Sequence, residues 1–138
     1  MKPGLNIGAT LTKRYEIDID RTIGFMGEHL RVYATPLMVK DVENACRDLL
    51  SNYLDDSENT VGARVEIDHL GPTLIGMWVD VIVKITSIEG RRINFEAEVK
   101  DELDTVGRAK HTRFVVDLSM QKERLEAKAL AVKQHRGE

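Results

Sequence analysis

An α+β fold, with one long apolar helix packed on an antiparallel sheet, is what this sequence predicts. Three observations carry that reading. Residues 35–54 hold a long run of apolar side chains at helical spacing. The stretches around it alternate apolar and polar residues with the period of two that a half-buried strand requires. Turns as short as Glu89-Gly90 join those strands, and such short connections demand antiparallel pairing. A sheet wrapped round a single central helix is the simplest way to bury that helix on most sides.

The elements follow in chain order. Residues 1–9 carry Pro3, Gly4 and Gly8 and read as a loose lead-in. From Thr10 to Asp20, Leu11, Tyr15, Ile17 and Ile19 alternate with polar residues, which describes a strand with one wet face. Residues 21–34 have no clear period. They include Gly24 and Gly27 and the exposed-looking Phe25 and Met26, as a long loop or lid beside the helix start would.

The helix spans Thr35–Leu54. Thr35 suits the N-cap and Pro36 the first helical position, where no backbone donor is needed. Leu37, Met38, Val42, Ala45, Cys46, Leu49, Leu50 and Tyr53 form its broad apolar face. Asp41 near the start and Arg47 further on agree with the helix dipole.

After a polar turn at Asp55–Asn59, Thr60–Leu70 sets Val61, Ala63, Val65 and Ile67 against Thr60, Arg64, Glu66 and Asp68. His69 falls on the apolar side, and Gly71-Pro72 ends the strand. Met77–Ile88 is the clearest strand, and Ile93, Phe95, Ala97 and Val99 repeat its pattern on the return. Asp101–Asp104 turns again. In the last strand, Thr105–Leu118, the residues Thr112, Phe114, Val116 and Leu118 alternate with His111, Arg113, Val115 and Asp117. From Ser119, Leu125, Ala129 and Val132 suggest a charged terminal helix that frays toward Glu138. The sheet's outer edges are open, and homodimerisation by edge pairing would cover one of them.

A chain of 138 residues reads as one domain, 1–138, with room for a real core. Its net charge of −3 argues against a general nucleic-acid binder. No apolar run approaches the ~20 residues that span a bilayer, so no membrane partner is expected. The first residues lack the apolar segment of a secretory signal. One cysteine rules out an internal disulfide and fits a reducing, cytoplasmic setting.

Phosphate-cradling and structural-zinc motifs are absent, and no metal site is expected from Glu28-His29 or Asp68-His69. Cys46, on the apolar face, reads as a small core residue rather than a nucleophile. Thr35, Glu43 and His69 remain. Singly, these are a cap, a solvated carboxylate and a hydrogen-bonded core histidine. Yet Glu43 and His69 both have apolar neighbours, and a carboxylate hidden with an imidazole perturbs both pKa values, as functional sites do.

The phrase Thr60-Val-Gly-Ala-Arg-Val-Glu-Ile-Asp-His-Leu-Gly-Pro-Thr73, with Gly76-Met77, Glu89-Gly90-Arg91-Arg92 and His111-Thr-Arg-Phe-Val-Val116, resembles the hotdog-fold acyl-CoA thioesterases, in the fluoroacetyl-CoA thioesterase-like branch. The resemblance runs from about Leu5 to Leu118 and is most specific over Gly62–Thr73. It implies a catalytic Thr35, Glu43 and His69 and a substrate contact at Gly62. It also makes His111 and Arg113, which share a strand face, candidates for substrate binding, with Arg113 reaching a CoA phosphate. By their residues alone, those two would be an ion pair or an edge contact. Residues 21–34 look shorter than that branch's aromatic lid, which implies a different short or medium acyl group.

The resemblance implies no cofactor: the CoA thioester is the substrate. The helix N-terminus offers free N–H groups for an oxyanion. His69 suits a general base, and Thr35, Glu43 or water can be the attacking group. Eight helical residues rise about 12 Å, so Thr35 and Glu43 cannot touch along one helix. The resemblance implies that groups from two subunits of a homodimer, or a higher homo-oligomer, converge. Other readings are a non-catalytic acyl-CoA binding module and an enoyl-thioester hydratase-like enzyme.

Overall fold

The computed structural model describes residues 1–138. Strands β1 (Thr10–Glu16), β4 (Glu58–His69), β5 (Trp78–Glu89), β6 (Arg92–Asp101) and β7 (Thr105–Asp117) form one antiparallel sheet. Their order is β1-β5-β6-β7-β4. Helix α1 (Thr35–Ser51) lies in its concave face, the architecture expected from the pattern. Met38, Val42, Ala45, Cys46, Leu49 and Leu50 bury there against Val79, Val81, Val83 and Ile85 of β5 and Ile93, Phe95 and Val99 of β6. Each large aliphatic or aromatic side chain so removed from water contributes about 1.5–3 kcal/mol. Gly107 of β7 lets the helix come close: a Cβ there would sit 2.6 Å from Met38 Sδ. At the β5–β6 turn Gly90 takes φ +62°, a conformation that favours glycine.

Several local expectations change. β1 stops at Glu16, because the Asp18 carboxylate caps a single helical turn, Ile19–Arg21, by accepting from the Arg21 N–H. Residues 21–34 are a small folded unit: β2 (Thr22–Ile23) pairs with β3 (Val32–Tyr33) around a turn at Glu28–Leu30. α1 ends at Ser51, and its N-cap is Ala34, not Thr35. The terminal helix α2 (Leu118–Arg136) does not fray early. Asp117 caps its start and left-handed Gly137 closes its end, and no residue of it is buried. No helix is long and apolar enough to cross a membrane.

Two strands carry their inner face differently from the simple alternation. On β7, His111, Arg113 and Val115 pair with residues of β6 and β4 that face α1, and Phe114 is the one left exposed. On β4 the register shifts between Gly62 and Arg64, leaving Ala63 unpaired in a bulge. Thr60 and Gly62 therefore face inward before the bulge, and Val65, Ile67 and His69 after it. Val61, expected on the same side as Val65, faces the other way. The bulge matters for function, because Gly62 and His69 are seven residues apart and a regular strand would put them on opposite faces.

Candidate active site

The side of α1 that faces β4 presents Thr35, Val39 and Glu43, four residues apart and so one above another. At its first turn, Thr35 Oγ1 lies 2.7 Å from His69 Nδ1, at the end of β4. Thr35 is free to make this bond because capping falls to Ala34, which has no side chain to offer. The helix N-terminus offers fewer donors than expected. Pro36 has no N–H, and those of Leu37 and Met38 both turn back to the Ala34 carbonyl. The Thr35 N–H is left, making no backbone hydrogen bond in the chain. An oxyanion would therefore meet one backbone donor here, with the dipole's positive end behind it.

Burial lowers the His69 pKa below that of a free imidazole, with the Gly71 backbone acting in the opposite sense. A neutral ring at near-neutral pH is the form that can take a proton.

Two turns along α1, a second cluster forms around Arg113. Its guanidinium is buried, donating from Nε to Thr60 Oγ1 at 2.9 Å and from Nη2 to the Thr60 carbonyl at 3.1 Å. Nη1 lies 3.2 Å from His111 Nε2 and 3.7 Å from Glu43 Oε2. His111 Nδ1 lies 2.7 Å from the Arg64 carbonyl, so Nδ1 carries the proton and Nε2 is left to accept from Arg113. Burial is the main cause lowering both pKa values; the Arg113 charge depresses His111 further, while the Glu43 carboxylate opposes the shift on each.

Gly62 closes this cluster. A Cβ there would come within 3.2 Å of Glu43 Oε2 and 3.3 Å of Arg113 Nη1 and His111 Cε1. The structure thus joins Thr35 to His69, and Glu43 to Gly62, His111 and Arg113. It places no hydrogen bond between the two groups within one subunit. Cys46 is buried in the core, with its thiol pKa pushed up to about 12 by burial, as a structural cysteine's would be.

Composition alone did not flag Asp41, Tyr33, Arg21 or Thr60. Asp41 is buried in the helix's inner face, where Tyr33 donates to it at 2.6 Å and Arg21 at 3.1 and 3.2 Å. A signal existed: Asp41 lies three residues after Met38 and four before Ala45, on the core stripe itself.

Comparison with known proteins identifies the family and the fold. Residues 17–119 match the family model FlK, described as fluoroacetyl-CoA-specific thioesterase. A curated relative, the fluoroacetyl-CoA thioesterase of Streptantibioticus cattleyicolor, is 29% identical over 125 residues, covering 86% of this chain and 90% of its own. A solved structure of the fluoroacetyl-CoA thioesterase FlK superposes with a TM-score of 0.83 at 26% identity, covering 91% of this chain and 98% of that one. A thioesterase-superfamily protein of Thermus thermophilus gives 0.83 at 27% identity and covers 98% of both chains.

Proposed function

The chain belongs to the FlK family of fluoroacetyl-CoA-specific thioesterases, and from that premise we propose that it hydrolyses a short- or medium-chain acyl-CoA to free acid and CoA, at a site built from Thr35, His69 and Glu43. The observation that carries this reading is the 2.7 Å contact of Thr35 Oγ1 with His69 Nδ1. With the imidazole neutral and its proton on Nε2, the Thr35 hydroxyl donates to Nδ1. The oxygen then attacks the thioester carbonyl as His69 takes the proton. The Thr35 N–H meets the developing oxyanion. Collapse breaks the C–S bond, and the proton held by His69 goes to the departing thiolate. Water, deprotonated by the same ring, then releases the acid and restores the threonine.

Glu43 enters from a second subunit. β4 is an edge strand with one side unpaired. Antiparallel pairing of two β4 strands about a two-fold at Glu66, with Ala63 bulged out of each ladder, sets Gly62 of one opposite His69 of the other. Glu43 of the partner subunit, with its Arg113 neighbour, then faces the Thr35–His69 pair. Arg113, buried and spent on Thr60, His111 and Glu43, suits the acyl end of the substrate better than a CoA phosphate.

Mixed dimers test both halves. CoA release is measured over a panel of acyl-CoA substrates for wild type, His69→Ala, Glu43→Ala and their purified hybrid. Each single variant should be nearly inactive. The hybrid keeps one intact site only if the site is shared across the interface, and should then recover about half of the wild-type rate. An inactive hybrid refutes the shared site. Wild-type turnover in both single variants refutes the assignment.

A further inference from the structure

We propose that Asp41, acting through Tyr33 and Arg21, is the positioning residue that holds Thr35 and His69 at bonding distance. This inference rests on the function proposed above. Both oxygens of the Asp41 carboxylate are engaged. Oδ2 accepts from the Tyr33 hydroxyl at 2.6 Å and from Arg21 Nε at 3.1 Å, and Oδ1 accepts from Arg21 Nη2 at 3.2 Å. The carboxylate and the tyrosine are each 1% exposed. None of the three groups touches the reacting atoms in the mechanism, so the catalytic step does not explain a carboxylate placed in an apolar core.

Their neighbours supply the explanation. Tyr33 stands two residues before Thr35, and its ring meets the His69 ring edge-on, 6.2 Å between centres and 72° between planes. The same tyrosine therefore supports the histidine from the side and the threonine through the backbone. Arg21 is also bound twice: its guanidinium to Asp41, and its carbonyl to the Ala34 N–H at 2.9 Å. A third tie runs from the Tyr33 N–H to the Thr73 carbonyl, also 2.9 Å.

The helix entry needs such ties because it has no side-chain cap. In an ordinary helix the hydroxyl near the start would fix the corner locally. Here the Thr35 hydroxyl is committed to His69, so the corner at Ala34 is fixed from about two turns inside the helix and from the β1–β2 connection. A hydrophobic replacement of Asp41 could fill the space but could not set the angle at which Tyr33 leaves the helix axis.

The experiment compares wild type with Tyr33→Phe and Asp41→Asn, using His69→Ala as the inactive reference. Tyr33→Phe keeps the ring beside His69 and removes only the hydroxyl that reaches Asp41. Three quantities are read: Tm, kcat and KM on the best acyl-CoA, and the 15N and 1H shifts of the His69 ring nitrogens in the free protein. The expectation for Tyr33→Phe is a fold retained at assay temperature, kcat down about tenfold, KM within about twofold, and an Nδ1 signal displaced toward that of an unbonded ring. A Tm loss with kcat and the Nδ1 signal unchanged would make the cluster a stability device only and overturn the proposal. So would no change in any of the three. Should Asp41→Asn fail to fold, Tyr33→Phe still decides. Should the wild type release no CoA from any acyl-CoA, the proposed function fails, and the ring-nitrogen shifts still judge the positioning role by themselves.

Discussion

The pair Glu43–Arg113 is where the proposed chemistry and the stability of the fold can be separated by measurement. Two charges 3.7 Å apart attract by about 4–5 kcal/mol at the effective dielectric that suits protein sites. Much of that is screened, since the Glu43 side chain is 41% exposed while that of Arg113 is 6%. Discounted accordingly, Glu43→Gln should cost about 1–2 kcal/mol of stability. Arg113→Met should cost more, about 3–5 kcal/mol, because Thr60 and His111 also lose their guanidinium bonds and stay buried without those partners. The double variant isolates the pairwise part, expected at about 1–2 kcal/mol.

The assay is denaturant unfolding of all four proteins at one pH, with CoA release measured on the same samples. For a chain of this size, 1 kcal/mol moves Tm by about 3–5 °C, well within reach of a thermal scan. Glu43→Gln should lose far more turnover than its small stability cost explains. A coupling energy below about 0.5 kcal/mol would mean the two side chains do not sense each other. Turnover preserved in Glu43→Gln would remove the carboxylate from the mechanism while leaving the ion pair intact.

Three further outcomes follow from the same geometry. His69 and His111 both have pKa values lowered by burial from the usual 6.5, so the unfolded chain takes up protons first as the solution is acidified. Stability from these rings is therefore complete above pH 6.5 and is lost as pH falls below it through the folded values, and the acid limb of kcat/KM, which reports neutral His69, should also lie below 6.5; an acid limb above that value would contradict the lowered His69. Gly62→Ala, whose methyl would crowd Glu43, Arg113 and His111 at 3.2–3.3 Å, should depress kcat by at least about tenfold with a Tm change of a few degrees; unaltered kinetics would show that no group at that cluster is held tightly. The Cys46 thiol, raised to about 12, should resist alkylation at pH 8 in the native protein, and Cys46→Ala should turn over normally; rapid labelling that abolishes activity would place it in the site instead.

The architecture was legible because α1 and β5 follow their periods strictly. A helix with Met38, Val42, Ala45, Cys46, Leu49 and Leu50 on one stripe must be covered, and Val79, Val81, Val83 and Ile85 supply a face to cover it. Apolar neighbours singled out Glu43 and His69 in the sequence, and the family resemblance was needed to make Thr35 more than a cap. The resemblance was also needed to bring Gly62 and Arg113 among the candidates. What alternation could not show was the bulge at Ala63, since an inserted residue leaves no mark in a pattern read two by two. That one residue reverses which of Val61 and Gly62 faces the helix.

Two of the misread positions meet at one seam. Thr35, read as a cap, and Val61, read on the same side as Val65, lie where α1 meets β4, beside the inward His111 and Arg113 of β7. At each, a local rule gives way to a group with another commitment: a hydroxyl bonded to His69, a strand bent to turn Gly62 inward, a guanidinium kept in a core position. Several local rules give way along this seam, where the candidate residues gather, while the register also shifts between Ile85 and Ser87 and between Val99 and Lys100. The free edge of β4 borders the same seam, so one strand carries both the site's irregularities and the unpaired backbone that a second subunit would complete.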